Sequence, residues 1–71
     1  MSFFHIFNLI FGRGNVFGTN QNDLIFGSFG TDKIDAKDGD DIVFGLFGDD
    51  KISGGLGDDL LFGGTGDDVI V

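Results

Sequence analysis

From Gly18 to Val71 the polar and apolar positions fall into six consecutive units of nine: GTNQNDLIF, GSFGTDKID, AKDGDDIVF, GLFGDDKIS, GGLGDDLLF and GGTGDDVIV. A fixed period of this kind decides architecture before any local propensity does. The eighth place is always a branched aliphatic: Ile25, Ile34, Val43, Ile52, Leu61 and Ile70. The sixth place is always Asp: Asp23, Asp32, Asp41, Asp50, Asp59 and Asp68. Gly fills the first place in all units but one, where Ala36 stands, and the fourth in all but one, where Gln21 stands. Places one to six are therefore polar and Gly-rich and predict a turn, because Gly reaches left-handed dihedrals that other residues resist. Places seven to nine predict a three-residue strand with place eight pointing inward and its neighbours outward.

Such a strand is too short to stand alone, but it can stack on its copies. Two units make an 18-residue coil, and six make about three coils at roughly 4.8 Å each. The expected fold is all-β: two narrow parallel sheets with the aliphatic ladder between them. The outward places alternate between the sheets. Odd units carry Leu24 and Phe26, Ile42 and Phe44, Leu60 and Phe62, while even units carry Lys33 and Asp35, Lys51 and Ser53, then Val69 and Val71. One sheet is thus apolar on both faces, and an exposed apolar face of this kind marks an interface.

The apolar run 3–11, FFHIFNLIF, can supply the cover. As a helix it would be about 14 Å long, close to the height of the stack. As strands it would extend the roll, since Asn15-Val16-Phe17 keeps the nine-residue register with Gly14 where Asp would be. Residues 1–17 are accordingly read as an apolar N-terminal cap and 18–71 as the repeat domain. The alternative is a homodimer, or a parent-protein domain, packed on Leu24, Phe26, Ile42, Phe44, Leu60 and Phe62. The run has no basic flank or small-residue cleavage site, and is too short to span a bilayer.

Charge narrows the partners. The chain has 12 acidic and 4 basic residues, a net charge of −8, and every acid is Asp. The negative field opposes nucleic acid and anionic membranes and favours cations. There is no Cys, so no disulfide staples the fold. One buried aliphatic per nine residues is a thin core for a chain this short, which leaves metal or self-association to supply stability.

GGLGDDLLF and GGTGDDVIV match every place of GGxGxDxUx, with U a large aliphatic, and the middle units match most places. Residues 18–71 closely resemble the repeats-in-toxin (RTX) family of secreted bacterial proteins. The resemblance implies a right-handed, two-sheet parallel β-roll that folds when Ca2+ binds. It places calcium between turns two units apart, held by sixth-place carboxylates and by carbonyls of places one to four. Carried over, the pairs are Asp23 with Asp41, Asp41 with Asp59, Asp32 with Asp50, and Asp50 with Asp68, about four sites. The turn residues implied are Gly27, Gly30, Gly39, Gly45, Gly48, Gly54, Gly55, Gly57, Gly63, Gly64 and Gly66. Hard oxygens in flexible loops suit calcium. The first turn departs from the pattern at Thr19 and Gln21, and Lys37 adds a positive charge near the same edge. Extracellular location follows from the resemblance. So does one reading of Asp68-Val69-Ile70-Val71, an acid followed by hydrophobics like the tail used in type I secretion; the other reading is the plain end of the sixth repeat.

No catalytic constellation is legible. His5, the lone histidine, sits in an apolar run, and Ser2, Ser28 and Ser53 have no evident base. Paired acids such as Asp40-Asp41 repeat, which marks a ligand or a turn rather than general acid–base work. Three other readings stand beside a calcium module. One is a purely structural roll that stacks through its open ends. Another is the folding and export module of a larger secreted enzyme or toxin. The last is a disordered Phe-Gly polymer, since Phe-Gly recurs seven times; that reading leaves the Asp and aliphatic columns unexplained.

Overall fold

The computed structural model describes residues 7–71. Eight short strands follow one another: β1 (Asn8–Phe11), β2 (Asn15–Phe17), β3 (Asp23–Phe26), β4 (Lys33–Asp35), β5 (Ile42–Phe44), β6 (Lys51–Ser53), β7 (Leu60–Phe62) and β8 (Val69–Ile70). They sort alternately into two four-stranded sheets, in the orders β1-β3-β5-β7 and β2-β4-β6-β8. Every pairing is parallel. The molecule is a two-sheet parallel β-solenoid of about four turns, each strand lying on the strand one coil away.

From β2 onward the register step is eighteen residues, as in Asn15↔Lys33, Leu24↔Ile42 and Lys51↔Val69. The β1–β3 step is shorter, pairing Asn8 with Asp23 and Phe11 with Phe26. The difference lies in the β1–β2 connection, which is only Gly12-Arg13-Gly14 where later connections take about six residues. A Cβ on Gly12 would come within 2.7 Å of the Val16 side chain, so the short turn needs glycine there.

Inward-facing Val16, Ile25, Ile34, Val43 and Ile52 are buried, with Ile10 and Leu61 packed against them. The eighth-place column is therefore the core, as its period predicts. Outside the odd-numbered strands runs a ladder of Phe11, Phe26, Phe44 and Phe62, with ring centroids 5.3, 5.2 and 4.9 Å apart and nearly parallel planes. Leu9, Phe11, Leu60 and Phe62 on this face are exposed. The expected asymmetry between the sheets is present. The apolar segment from Asn8 to Phe17 forms strands that continue both sheets, rather than a helix laid across one of them. The rest of the expected cap, residues 1–6 with His5, lies outside the described residues.

The turns come in two kinds. In the four turns from residue 36 onward, places two and four both have positive φ: Lys37 and Gly39, Leu46 and Gly48, Gly55 and Gly57, Gly64 and Gly66. In the turns at 18–23 and 27–32 no residue does. Successive coils stack so closely that a Cβ on Gly55 would run into the Lys37 carbonyl, whereas one on Gly30 would meet nothing nearer than 3.8 Å. Gly55→Ala should thus destabilise the roll by about 2 kcal/mol or more, through strain and overlap together. Gly30→Ala should stay within about 0.5 kcal/mol of the parent. Urea midpoints of the two variants at fixed calcium check the contrast.

Candidate metal centre

The sixth-place Asp follows the last turn residue and precedes the strand, so its side chain folds back into the turn. There it is buried: Asp23, Asp32, Asp41 and Asp50 are at most 2% exposed. Its carboxylate lies over the first-place glycine, where a Cβ at Gly27, Gly45, Gly54 or Gly63 would sit 2.5–2.7 Å from the Asp Oδ2. The close approach of the carboxylate favours glycine at the first place of these turns, while in the turn of Asp41 the fully buried Ala36 fills it.

Each carboxylate also ties two coils together. Oδ1 of Asp41 accepts the Asp23 N–H at 2.8 Å, Asp50 accepts from Asp32 at 2.8 Å, Asp59 from Asp41 at 2.9 Å and Asp68 from Asp50 at 2.9 Å. The structure thereby brings the six expected aspartates into two columns, Asp23-Asp41-Asp59 on one edge and Asp32-Asp50-Asp68 on the other. Of the expected glycines, Gly30 alone has neither a positive φ nor a close neighbour.

The second oxygen separates the turns. Oδ2 of Asp23 accepts the Thr19 N–H and Oδ2 of Asp32 the Ser28 N–H, at 2.8 and 2.7 Å. The hydroxyls of Thr19 and Ser28 donate to the Oδ1 atoms, both at 2.8 Å. The Asn8 amide and the Gly14 N–H complete these carboxylates at 3.2 and 2.8 Å. By contrast, Oδ2 of Asp41 and Oδ2 of Asp50 are buried with no hydrogen-bond partner. At Lys37 the left-handed φ turns the place-two N–H away, and it donates to Asp35 Oδ1 at 3.1 Å instead.

Several residues here were missed by sequence reasoning. Thr19 and Ser28 stand four before an Asp, a spacing that allows a side-chain-closed turn and could have been read. A second, exposed row was overlooked at place five: Asn22 accepts from the Asp40 N–H, Asp40 from Asp58, and Asp49 from Asp67, at 2.7–2.8 Å. Asn8 lies outside the nine-residue register, so no periodicity pointed to it.

The electrostatics follow from these contacts. Burial pushes the Asp41 carboxyl up from 3.8 to about 6; the Asp23 N–H opposes this, and the neighbouring carboxylates of Asp23 and Asp59 add to it. Asp50 is raised chiefly by burial and further by Asp32 and Asp68. Burial acts on Asp32 as well, but the donors from Ser28 and Gly14 outweigh it and hold that carboxyl below its usual value.

A buried carboxylate oxygen without a donor, next to other carboxylates, is an unfavourable arrangement for the bare protein. A hard divalent cation would relieve it. Among the described residues no three His, Cys, Asp or Glu side chains converge, so such a cation must also draw on the backbone. Carbonyls are at hand: those of Lys37, Gly39, Leu46 and Gly48 crowd the stacked turns. Two carboxylates with several carbonyls is a donor set that fits calcium.

A parallel solenoid whose edges are columns of turn-buried carboxylates is a repeat module for hard cations. The RTX calcium-binding nonapeptide repeat matches residues 11–43 and 35–70, and the chain belongs to that family. It is a non-catalytic calcium-binding module, and its members are secreted proteins. No curated protein and no solved structure matches the chain. Among the described residues no helix is long and apolar enough to cross a membrane.

The raised carboxyls set a pH dependence for the metal-free roll. A group whose folded pKa exceeds its unfolded value of about 3.9 stabilises the fold below that value and loses the effect as pH rises through the folded pKa. With Asp41 at about 6, the metal-free roll should gain up to roughly 3 kcal/mol as pH falls from 7 to 4. Below 4 the lowered Asp32 works the other way. In chelator, the chain should show more far-UV β signal at pH 5 than at pH 7, because the protonated Asp41 carboxyl favours the folded stack. With calcium the order should invert, because protons compete with the metal.

Proposed function

We propose that calcium is held between stacked turns, with the sixth-place carboxylates and the carbonyls of places one to four as ligands, and that its binding drives folding after export. The observation that carries this reading is the pair of buried, donorless oxygens on Asp41 and Asp50. Removing their repulsion by cation binding supplies free energy that appears as folding free energy. Extracellular modules of this kind bind calcium at about 10⁻⁴–10⁻³ M. Such sites are empty in the cytosol and filled outside the cell, which fits passage through a type I secretion channel in an unfolded state. The chain then acts as the folding module of a secreted or surface protein.

A calcium titration followed by far-UV circular dichroism tests this, with magnesium as the control. Calcium alone should produce a cooperative gain of β signal. Asp50→Ala should raise the calcium midpoint by about tenfold or more, since the Asp50 carboxylate bridges two coils and carries a donorless oxygen. A full β signal in chelator, unchanged by calcium, would remove calcium from the folding step.

A second reading concerns the Phe ladder. Its rings are aligned and closely stacked, Phe11 and Phe62 exposed and Phe26 and Phe44 half-buried, and an apolar sheet face seeks cover. We infer that this face meets its equivalent on a second copy, giving a dimer once the roll has folded. Sedimentation of the calcium-loaded chain should show a dimer that Phe26→Ser with Phe44→Ser converts to monomer. A parent that already sediments as a monomer at 100 μM, on the order of weak self-association, would refute it.

A further inference from the structure

The turns of this roll are not equivalent, and the difference falls at one boundary. Before residue 36 no place-two or place-four residue of a repeat turn has positive φ, and after it all of them do. Before the boundary the carboxylates of Asp23 and Asp32 receive N–H and O–H donors from Thr19, Ser28, Asn8 and Gly14. After it, Oδ2 of Asp41 and of Asp50 receives none.

A metal between two turns needs carbonyls aimed from both sides, and that needs the two turns to share one backbone form. Only two stacked pairs do so: 36–41 with 54–59, and 45–50 with 63–68. The turns at 18–23 and 27–32 stack on a turn of the other kind, and their own carboxylates are already supplied with hydrogen-bond donors.

We propose that calcium occupies only these two matched pairs, and that the amino-terminal half is a metal-independent template. In this half the hydroxyls of Thr19 and Ser28 do the work that calcium does further along. The coils of β1–β4 form without metal, and their edge offers the N–H groups of Asp23 and Asp32 to the carboxylates of Asp41 and Asp50. Calcium then fixes β5–β8 onto that edge. The assignment rests on the calcium reading above and deepens it, by setting the number of ions and the order of folding.

Two measurements on the intact chain test it. Calorimetric titration should give two calcium ions per chain, not four. Hydrogen exchange in chelator should show amides in residues 8–35 slowed by about tenfold or more relative to the unfolded chain, while those in 36–71 exchange freely until calcium is added. Asp59→Asn with Asp68→Asn should abolish the calcium-dependent protection and leave that of 8–35 in place. Thr19→Val with Ser28→Ala should remove the protection of 8–35 in chelator. Four ions, or protection that appears in all coils together only with calcium, would overturn the assignment while leaving calcium-driven folding intact. No heat of calcium binding would overturn both.

Discussion

The roll depends on one repeated contact: an Asp carboxylate that folds back over the first residue of its own turn and, at Asp41, Asp50, Asp59 and Asp68, accepts the backbone N–H of the Asp one coil earlier. This bond fixes the spacing of the turns at the same height as the spacing of the strands. Without it the three-residue strands would have little to align them, because each contributes a single buried aliphatic. With it, two edges and two sheets grow in step. The cost is that like charges stack in a column where water cannot screen them.

The different turns are different answers to that cost. At Asp23 and Asp32 the answer is local, since a hydroxyl and an amide from the same turn satisfy the carboxylate. At Asp41 and Asp50 the place-two residue is left-handed and Oδ2 has no donor, while the carbonyls of Lys37, Gly39, Leu46 and Gly48 lie close against the turns of the next coil. The second kind is worse for the bare chain and better for a cation. Lys37 and Leu46 make the point sharply, for they adopt a positive φ without being glycine. Strain of that kind persists where the surroundings enforce it, and here the enforcing neighbours are stacked turns of the same form.

Much of this could be read from the chain. The period of nine gave the sheets, the eighth-place core and the two Asp columns, because each is a repeated choice that neighbouring units reinforce. The polar and apolar sheet faces followed from the period of eighteen. What stayed hidden breaks the repetition. The three-residue turn Gly12-Arg13-Gly14 shifts β1 out of register, so Asn8 could not be placed opposite Asp23 by counting. The segment before Gly18 was legible as apolar, but helix and strand were equally open for a short run of that composition. Thr19 was noted only as a departure from the pattern, which shows what is lost before it shows what replaces it; the spacing of Thr19 and Ser28 four residues before an Asp is the signal that carries their role.

The chain also contains its own control for why the buried column is charged. Asn22 at place five accepts the Asp40 N–H at 2.7 Å, and Asp40 accepts the Asp58 N–H at 2.8 Å in the next coil. A neutral amide oxygen therefore does the mechanical work of the ladder as well as a carboxylate does. In the exposed row the choice matters little, because solvent screens the charge. In the buried row it matters greatly, because burial first and repulsion from Asp23 and Asp59 second lift the Asp41 carboxyl to about 6; an Asn at 41 or 50 would keep the inter-coil bond without either cost. Charge in that position is a liability for the ladder alone. Under the proposed calcium reading that liability has a use, since it makes the stack conditional on a shared cation.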